Sequence, residues 1–320
     1  MAAVSDAAGS QAGRARAKLL GPSDVRSLAR RLSVRPAKRL GQNFVIDPGT
    51  IRRIVAQARL GPDEVVLEVG PGLGSLTLGL LEAARRVIAV EVDPVLAAGL
   101  PATVEQRALA LAPRLEVINA DALTMAAPPG EQPTVLVANL PYNVAVPVLL
   151  HLLEAIPSIG RALIMVQAEV ADRMCASPGT RTYGVPSVKL AWYGSARRAW
   201  TVSRTVFWPA PNVDSAVVAF TRWFCAVANA DSAGVSFTRP PPGQPTVSRA
   251  AVFAVIDSAF AQRRKTLRSA LASLAGSVQA AEAVLRDAGV DPSLRGEALG
   301  VAQYIRIAEA AARARTIIES

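Results

Sequence analysis

A doubly wound, mostly parallel α/β sheet with a small helical domain behind it is the architecture this 320-residue sequence predicts. Three observations carry that prediction. Between residues 64 and 167, short runs rich in Val, Ile and Leu alternate with segments of helical apolar period. The strand-like runs are apolar almost throughout, as strands covered on both faces are. From residue 248 onward only the helical period remains, with Val252, Val255, Ile256 and Ala259 and then Leu267 and Leu271 in step.

The elements follow in order. Residues 1–35 are rich in Ala, Arg and Ser and are expected to form a basic, flexible arm. Residues 41–47 make a polar loop, and a helix over 48–58 puts Ile51, Ile54 and Val55 on one face. Gly61-Pro62-Asp63 is a turn. The alternation then reads strand 64–69, helix 74–84, strand 86–91, helix 94–110, strand 114–119, strand 134–138, helix 146–155 and strand 162–167. A helix over 170–175 is broken by Ser177-Pro178-Gly179, and another runs from the Tyr183-Gly184-Val185-Pro186 loop through Leu190. Strands at 199–204 and 215–220 flank Phe207-Trp208-Pro209-Ala210-Pro211. The expected organisation is an arm at 1–35, a sheet domain at 36–228, a Gly/Pro/Ser-rich linker at 229–247 and a helical domain at 248–320.

Bulk properties narrow the function classes. At 51% hydrophobic the chain can build a sizeable core. No uninterrupted apolar stretch is long enough to span a bilayer, since the richest run, 144–156, contains Pro147, His151 and Glu154. No apolar secretory segment opens the chain, and two cysteines with one histidine cannot build a disulfide framework or a four-ligand zinc site. No metal is expected, no membrane association, and a reducing cytoplasmic setting is the default. Of the ten net positive charges, residues 1–40 carry seven, with nine Lys/Arg against Asp6 and Asp24. Such an arm suits a polyanion such as RNA or DNA, or serves only to solubilise.

The strand at 64–69 runs into Gly70-Pro71-Gly72-Leu73-Gly74 and then a helix. Glycines here let backbone approach a ligand: a dinucleotide, S-adenosylmethionine, or none if the turn is merely tight. The next strand ends at Glu91-Val92-Asp93-Pro94. Asp93 before Pro94 reads as a helix cap, which leaves Glu91 to accept ribose hydroxyls. Asp121, after the third strand, can accept an adenine amino group or simply shape its turn. Acids on two successive strand ends favour an adenosine-bearing ligand, and the glycine spacing fits S-adenosylmethionine better than a dinucleotide.

The strand at 134–138 leads into Asn139-Leu140-Pro141-Tyr142, at the sheet edge where α/β proteins bind ligands. The amino nitrogen of adenine is a poor nucleophile because its lone pair is delocalised into the ring. Acceptors that draw both N–H bonds out of plane localise that pair, and the Asn139 side-chain oxygen and the Leu140 carbonyl suit the task. Pro141 fixes the backbone, and Tyr142 can stack on the base. As a bare tetrapeptide the segment is equally an ordinary strand-ending turn.

Residues 38–47 (Lys-Arg-Leu-Gly-Gln-Asn-Phe-Val-Ile-Asp), 68–74, 139–143, 207–215 and 260–267 together resemble the KsgA (RsmA) family of small-subunit ribosomal RNA adenine dimethyltransferases. The resemblance spans about residues 38–320. It implies a Rossmann-like S-adenosylmethionine-dependent sheet whose cofactor site comprises Asn43, Val45, Gly70, Glu91, Asp121 and Asn139. It also implies catalysis at Asn139, Leu140 and Tyr142, with Phe207 as the second aromatic wall of the base pocket. The family transfers four methyls to two adjacent adenosines in a hairpin near the 3′ end of 16S rRNA, so the expected partner is the small ribosomal subunit, met by a monomer. Arg263, Arg264, Lys265 and Arg268, read as lying on one helix, are the candidate phosphate contacts. This chain has Phe-Trp-Pro-Ala-Pro at 207–211 where the family often has Phe-Thr-Pro-Pro-Pro, which leaves Trp208 to stack or to pack into the core. The alternatives are an Erm-type enzyme acting on large-subunit RNA, an assembly factor that uses the same fold for binding, and, outside the class, an NAD oxidoreductase.

Overall fold

The computed structural model describes residues 15–35, 42–141, 143–223 and 246–319. Two compact units divide the chain. One holds Met1–Asn143, Leu163–Met165 and Val202–Asp214, and the other holds Val144–Ala162, Val166–Thr201 and Ser215–Ser320.

The first unit opens with a helix that composition did not reveal. Helix α1 (Pro22–Arg31) starts at a proline and buries Val25, Leu28 and Ala29. Asp24 pairs with Arg107 at 2.7 Å, and the Ala17 and Lys18 amides bond Glu82 and the Arg107 carbonyl. The expected flexible arm is thus structured between residues 17 and 32, because three apolar side chains at helical spacing outweigh the surrounding arginines. Strand β1 (Phe44–Val45) and helix α2 (Pro48–Ala58) follow, α2 being capped by Asp47 on the Thr50 amide at 2.7 Å.

Strand β2 (Val65–Val69), helix α3 (Ser75–Ala83), strand β3 (Arg86–Glu91), helix α4 (Pro94–Ala108), strand β4 (Leu115–Asn119) and strand β5 (Val135–Asn139) form the alternating core. β2 pairs in parallel with both β3 and β5, and β3 with β4. The order β4-β3-β2-β5 is continued by the middle of β6 (Arg161–Gln167), which follows helix α5 (Ala145–Ala155) in the chain. β2 and β3 are buried nearly end to end, which explains their unbroken apolar reading.

In the second unit, helices α6 (Ala168–Met174) and α7 (Val185–Tyr193) precede strand β7 (Gly194–Val202). Strand β8 (Phe207–Trp208) belongs to the first unit and pairs antiparallel with β1, while β9 (Ser215–Arg222) lies between β6 and β7. β7 starts five residues earlier than expected. It is a terminal strand with exposed Ser195, Arg197 and Arg198, so its apolar signal is weak. It begins at Gly194 because any Cβ there would lie 2.1 Å from the Thr221 carbonyl oxygen.

Helices α8 (Arg249–Ala261), α9 (Leu267–Ala270), α10 (Ala272–Ala275), α11 (Val278–Asp287) and α12 (Val301–Glu319) complete the second unit. Their core gathers Phe260 and Tyr304, with rings 6.4 Å apart, and Tyr304 donates to the Gly296 carbonyl. Among the described residues no helix is long and apolar enough to cross a membrane.

Candidate cofactor and base-binding site

Four neighbouring parallel strands, β4, β3, β2 and β5, deliver the site. β2 ends in the glycine loop, where Gly70, Gly72 and Gly74 all take positive φ. At Gly72 a side chain is doubly barred: φ is +56°, and a Cβ would stand 2.8 Å from the Phe44 ring. Over Gly70 a Cβ would meet only the Asn139 carbonyl oxygen, at 3.8 Å, so backbone there is open to an approaching ligand.

β3 ends in Glu91, whose carboxylate is buried and accepts the Gly72 amide on Oε2 and the Asp93 amide on Oε1, each at 3.0 Å. These bonds tie the glycine loop to the neighbouring strand end. Each oxygen keeps a lone pair for a ribose hydroxyl. Burial raises the Glu91 pKa, and the two backbone bonds work against that rise. Asp93 caps α4 through the Val95 and Leu96 amides, as Asp-Pro predicted. After β4, Asp121 is exposed and accepts the Leu123 amide at 2.8 Å on Oδ1, and its second oxygen is uncommitted among the described residues. It both shapes its turn and retains an acceptor.

β5 ends in Asn139, half-buried, whose Nδ2 donates to the Asn43 carbonyl at 3.0 Å. A carbonyl can only accept, so this bond fixes which end of the amide is nitrogen and leaves Oδ1 as an oriented acceptor. The Leu140 amide donates to Met165 of β6 at 3.1 Å, which pins the peptide before Pro141. Asn43, Val45, Gly70, Glu91, Asp121, Asn139 and Leu140 thus all lie in the first unit. Tyr142 lies outside the described residues.

Val45 and Phe207 face each other in the β1–β8 ribbon, and both are buried. Phe207 is 2% exposed, so as placed here its ring must be uncovered before a base can stack on it. Trp208 is half-buried and stacks on Phe44 at 6.3 Å, so it packs on the ribbon rather than in the core. Two contributors escaped the sequence reading. Phe44 packs over Gly72, and Glu68, an acid inside an apolar strand, is 1% exposed beneath the loop. The second carried a visible signal, a carboxylate in the run Val-Val-Leu-Glu-Val.

The four candidate RNA contacts do not share one helix. α8 ends at Ala261, Gln262 leaves helical geometry, and Lys265 closes a turn onto the Gln262 carbonyl before α9 begins. Arg263 pairs with Glu297 at 2.9 Å and donates to the Arg181 carbonyl at 2.7 Å. Arg268 stands 3.8 Å from Glu282. Arg264 and Lys265 are exposed, without an ion pair among the described residues.

Parallel strand ends carrying a glycine loop, a ribose-type acid and an oriented amide define an S-adenosylmethionine-dependent methyltransferase. The residues fit that cofactor: bare backbone at Gly70, spare acceptors on Glu91 and Asp121, and buried polar atoms of Glu68, Ser75 and Thr77 without partners at the loop. The family model described as "Ribosomal RNA adenine dimethylase" matches residues 35–313. A protein named "Ribosomal RNA small subunit methyltransferase A" from Thermobifida fusca is 61% identical over 92% of this chain and 96% of its own length. One of the same name from Streptomyces coelicolor is 60% identical over 91% and 96%. Among solved structures, the 23S rRNA methyltransferase ErmE superposes with a TM-score of 0.57 at 29% identity, over 84% of this chain and all of that one. A dimethyladenosine transferase from Plasmodium falciparum gives 0.64 at 22% identity, over 82% and 95%, which speaks to the fold alone. The chain belongs to the ribosomal RNA adenine dimethylase family. It is an rRNA adenine dimethyltransferase, and its methyl donor is S-adenosylmethionine.

Proposed function

We propose that this protein dimethylates N6 of two adjacent adenosines in the 3′-terminal hairpin of 16S rRNA, within an assembling small subunit. The observation that carries the chemistry is the bond from Asn139 Nδ2 to the Asn43 carbonyl, which presents Oδ1 as a fixed acceptor. One N–H of the adenine amine donates to that oxygen and the other to the Leu140 carbonyl, so the nitrogen lone pair leaves conjugation and becomes nucleophilic. Bound S-adenosylmethionine supplies an electrophilic methyl on a sulfonium. No strong base is needed, because the methylated amine is acidic and sheds its extra proton to water. Tyr142 and, once its buried ring is uncovered, Phe207 hold the extruded base from its two faces, an unstacked target being the general requirement for base chemistry. Asn43, Val45, Gly70, Glu91 and Asp121 hold the cofactor.

Arg264 and Lys265, free of ion pairs among the described residues, carry phosphate contact, with Arg268 in support. Arg263 serves chiefly to hold the turn that presents them. The substrate class is supported by identities of 60–61% to small-subunit enzymes, against 29% to the large-subunit enzyme ErmE. The large-subunit reading is accordingly not favoured. The intact Asn-Leu-Pro-Tyr segment weighs against an assembly factor without chemistry. The protein acts as a cytoplasmic monomer, needs no metal, and uses residues 36–228, 229–247 and 248–320 as catalytic domain, linker and RNA-binding domain, with residues 17–32 packed as part of the first unit. The test is Asn139→Ala: methyl transfer to unmodified small subunits is lost, while cofactor binding by calorimetry weakens only a few-fold. Retained transfer would overturn the assignment.

A further inference from the structure

Beneath the glycine loop lies a group that methyl transfer as described does not use. Glu68 ends the apolar part of β2 two residues before Gly70 and is buried, as is Glu91 at the end of the neighbouring strand. Neither carboxyl pairs with a Lys or Arg among the described residues. The charges that act on them are acidic: Glu91 on Glu68, and Asp93 on Glu91. Among the described residues Glu68 Oε2 and the Ser75 hydroxyl have no hydrogen-bond partner, and the Thr77 hydroxyl, buried with Ser75 in the first turn of α3, has none beyond its approach to the Glu68 carboxyl. Two buried carboxyls that repel one another cannot both be ionised without a compensating cation. Burial pushes the Glu68 carboxyl up to about 8, the Glu91 charge adds to the rise, and the nearby Thr77 hydroxyl works against it.

The methyl donor carries a sulfonium and the demethylated product does not, so the two differ by one positive charge. We propose that Glu68, backed by Glu91, is a charge-sensing specificity residue that gives up its proton when the cationic cofactor is bound and takes it back when the neutral-sulfur product replaces it, so that the site favours cofactor over product. This rests on the proposed placement of the cofactor between the glycine loop and Glu91. The step balances simply. On cofactor binding the Glu68 O–H bond breaks and the proton goes to solvent. When product occupies the site, that bond re-forms with a solvent proton. An opposite charge within about 4–6 Å weakens a carboxyl's hold on its proton by roughly ten- to thousand-fold, and linkage requires the same factor to appear in the preference for the charged ligand.

The experiment is calorimetric titration of the full chain with S-adenosylmethionine and, separately, S-adenosylhomocysteine, in buffers of different ionisation enthalpy from pH 6 to 9. Wild type should release close to one proton on binding the methyl donor near pH 7 and far less on binding the product. The ratio of the two dissociation constants should widen at least five-fold between pH 6.5 and 8.5. Glu68→Gln should remove both effects, and because the ligands' own amines titrate against either protein, the difference between proteins isolates Glu68. Equal proton release for the two ligands in wild type, or an unchanged linkage in Glu68→Gln, would overturn the proposal. Where the variant does not fold, wild-type proton counts corrected for each ligand's amine, titrated without protein, decide the matter: a corrected difference near zero overturns the proposal. Failure of the underlying site reading looks different: Glu91→Gln would then leave the affinity for the methyl donor unchanged.

Discussion

At the residue scale, the site depends on fixed acceptors and on glycines that cannot be replaced. Removing the oriented oxygen in Asn139→Ala should lower single-turnover methyl transfer by about 10²–10³, the range seen when one preorganised polar group is removed from an active site. Gly72→Ala should weaken cofactor binding about ten-fold, since left-handed backbone costs roughly 1–2 kcal/mol for a residue with a Cβ and that atom would strike Phe44. An unchanged dissociation constant would show that the loop tolerates displacement. Glu68 makes a pH prediction for the ligand-free protein. Its folded carboxyl holds a proton more firmly than the ordinary carboxyl at 4.5 does, up to about 8. The stability this confers is full below about pH 4.5 and is lost as pH rises through about 8, by a few kcal/mol at most. Thermal midpoints measured from pH 5 to 9 should therefore fall in wild type and stay flatter in Glu68→Gln.

At the element scale, what was legible followed from burial. β2, β3 and β5 are enclosed, so their apolar runs were read almost to the residue. The cap at Asp93 was equally plain, because Asp before Pro carries the mechanism in its residue types, and Asp47 and Ser248 cap α2 and α8 by the same chemistry. Three features were legible only in part or not at all. The β1–β8 ribbon has two residues per strand, too few to show a period. β7 is a terminal strand whose polar face masks alternation. Helix α1 lies in a segment rich in Ala, Arg and Ser, a composition that masks its buried stripe of Val25, Leu28 and Ala29. Leu28→Ala should cost about 2–5 kcal/mol and lower the thermal midpoint by several degrees. A midpoint identical to wild type would return α1 to the status of an appended arm.

At the scale of the whole molecule, chemistry and RNA capture fall to different residues. Asn139, Leu140 and the cofactor acids belong to the first unit, and the basic turn at 263–265 belongs to the second. The basic quartet was legible as charge. That Arg263 pairs with Glu297 while Arg264 and Lys265 have no ion pair among the described residues was not, because ion pairing depends on residues about thirty positions away. Charge reversal at Arg264 and Lys265 should weaken binding to the small subunit and reduce the slope of log affinity against log salt by about one per lost contact. The measurement that tests the central claim most directly gives unmodified small subunits to the protein with labelled S-adenosylmethionine and maps the label by mass spectrometry of the RNA. The account predicts two methyls on each of two adjacent adenosines in the 3′-terminal hairpin, and transfer slowed by about 10²–10³ with Asn139→Ala. Label elsewhere in the RNA, or undiminished transfer by that variant, would contradict it.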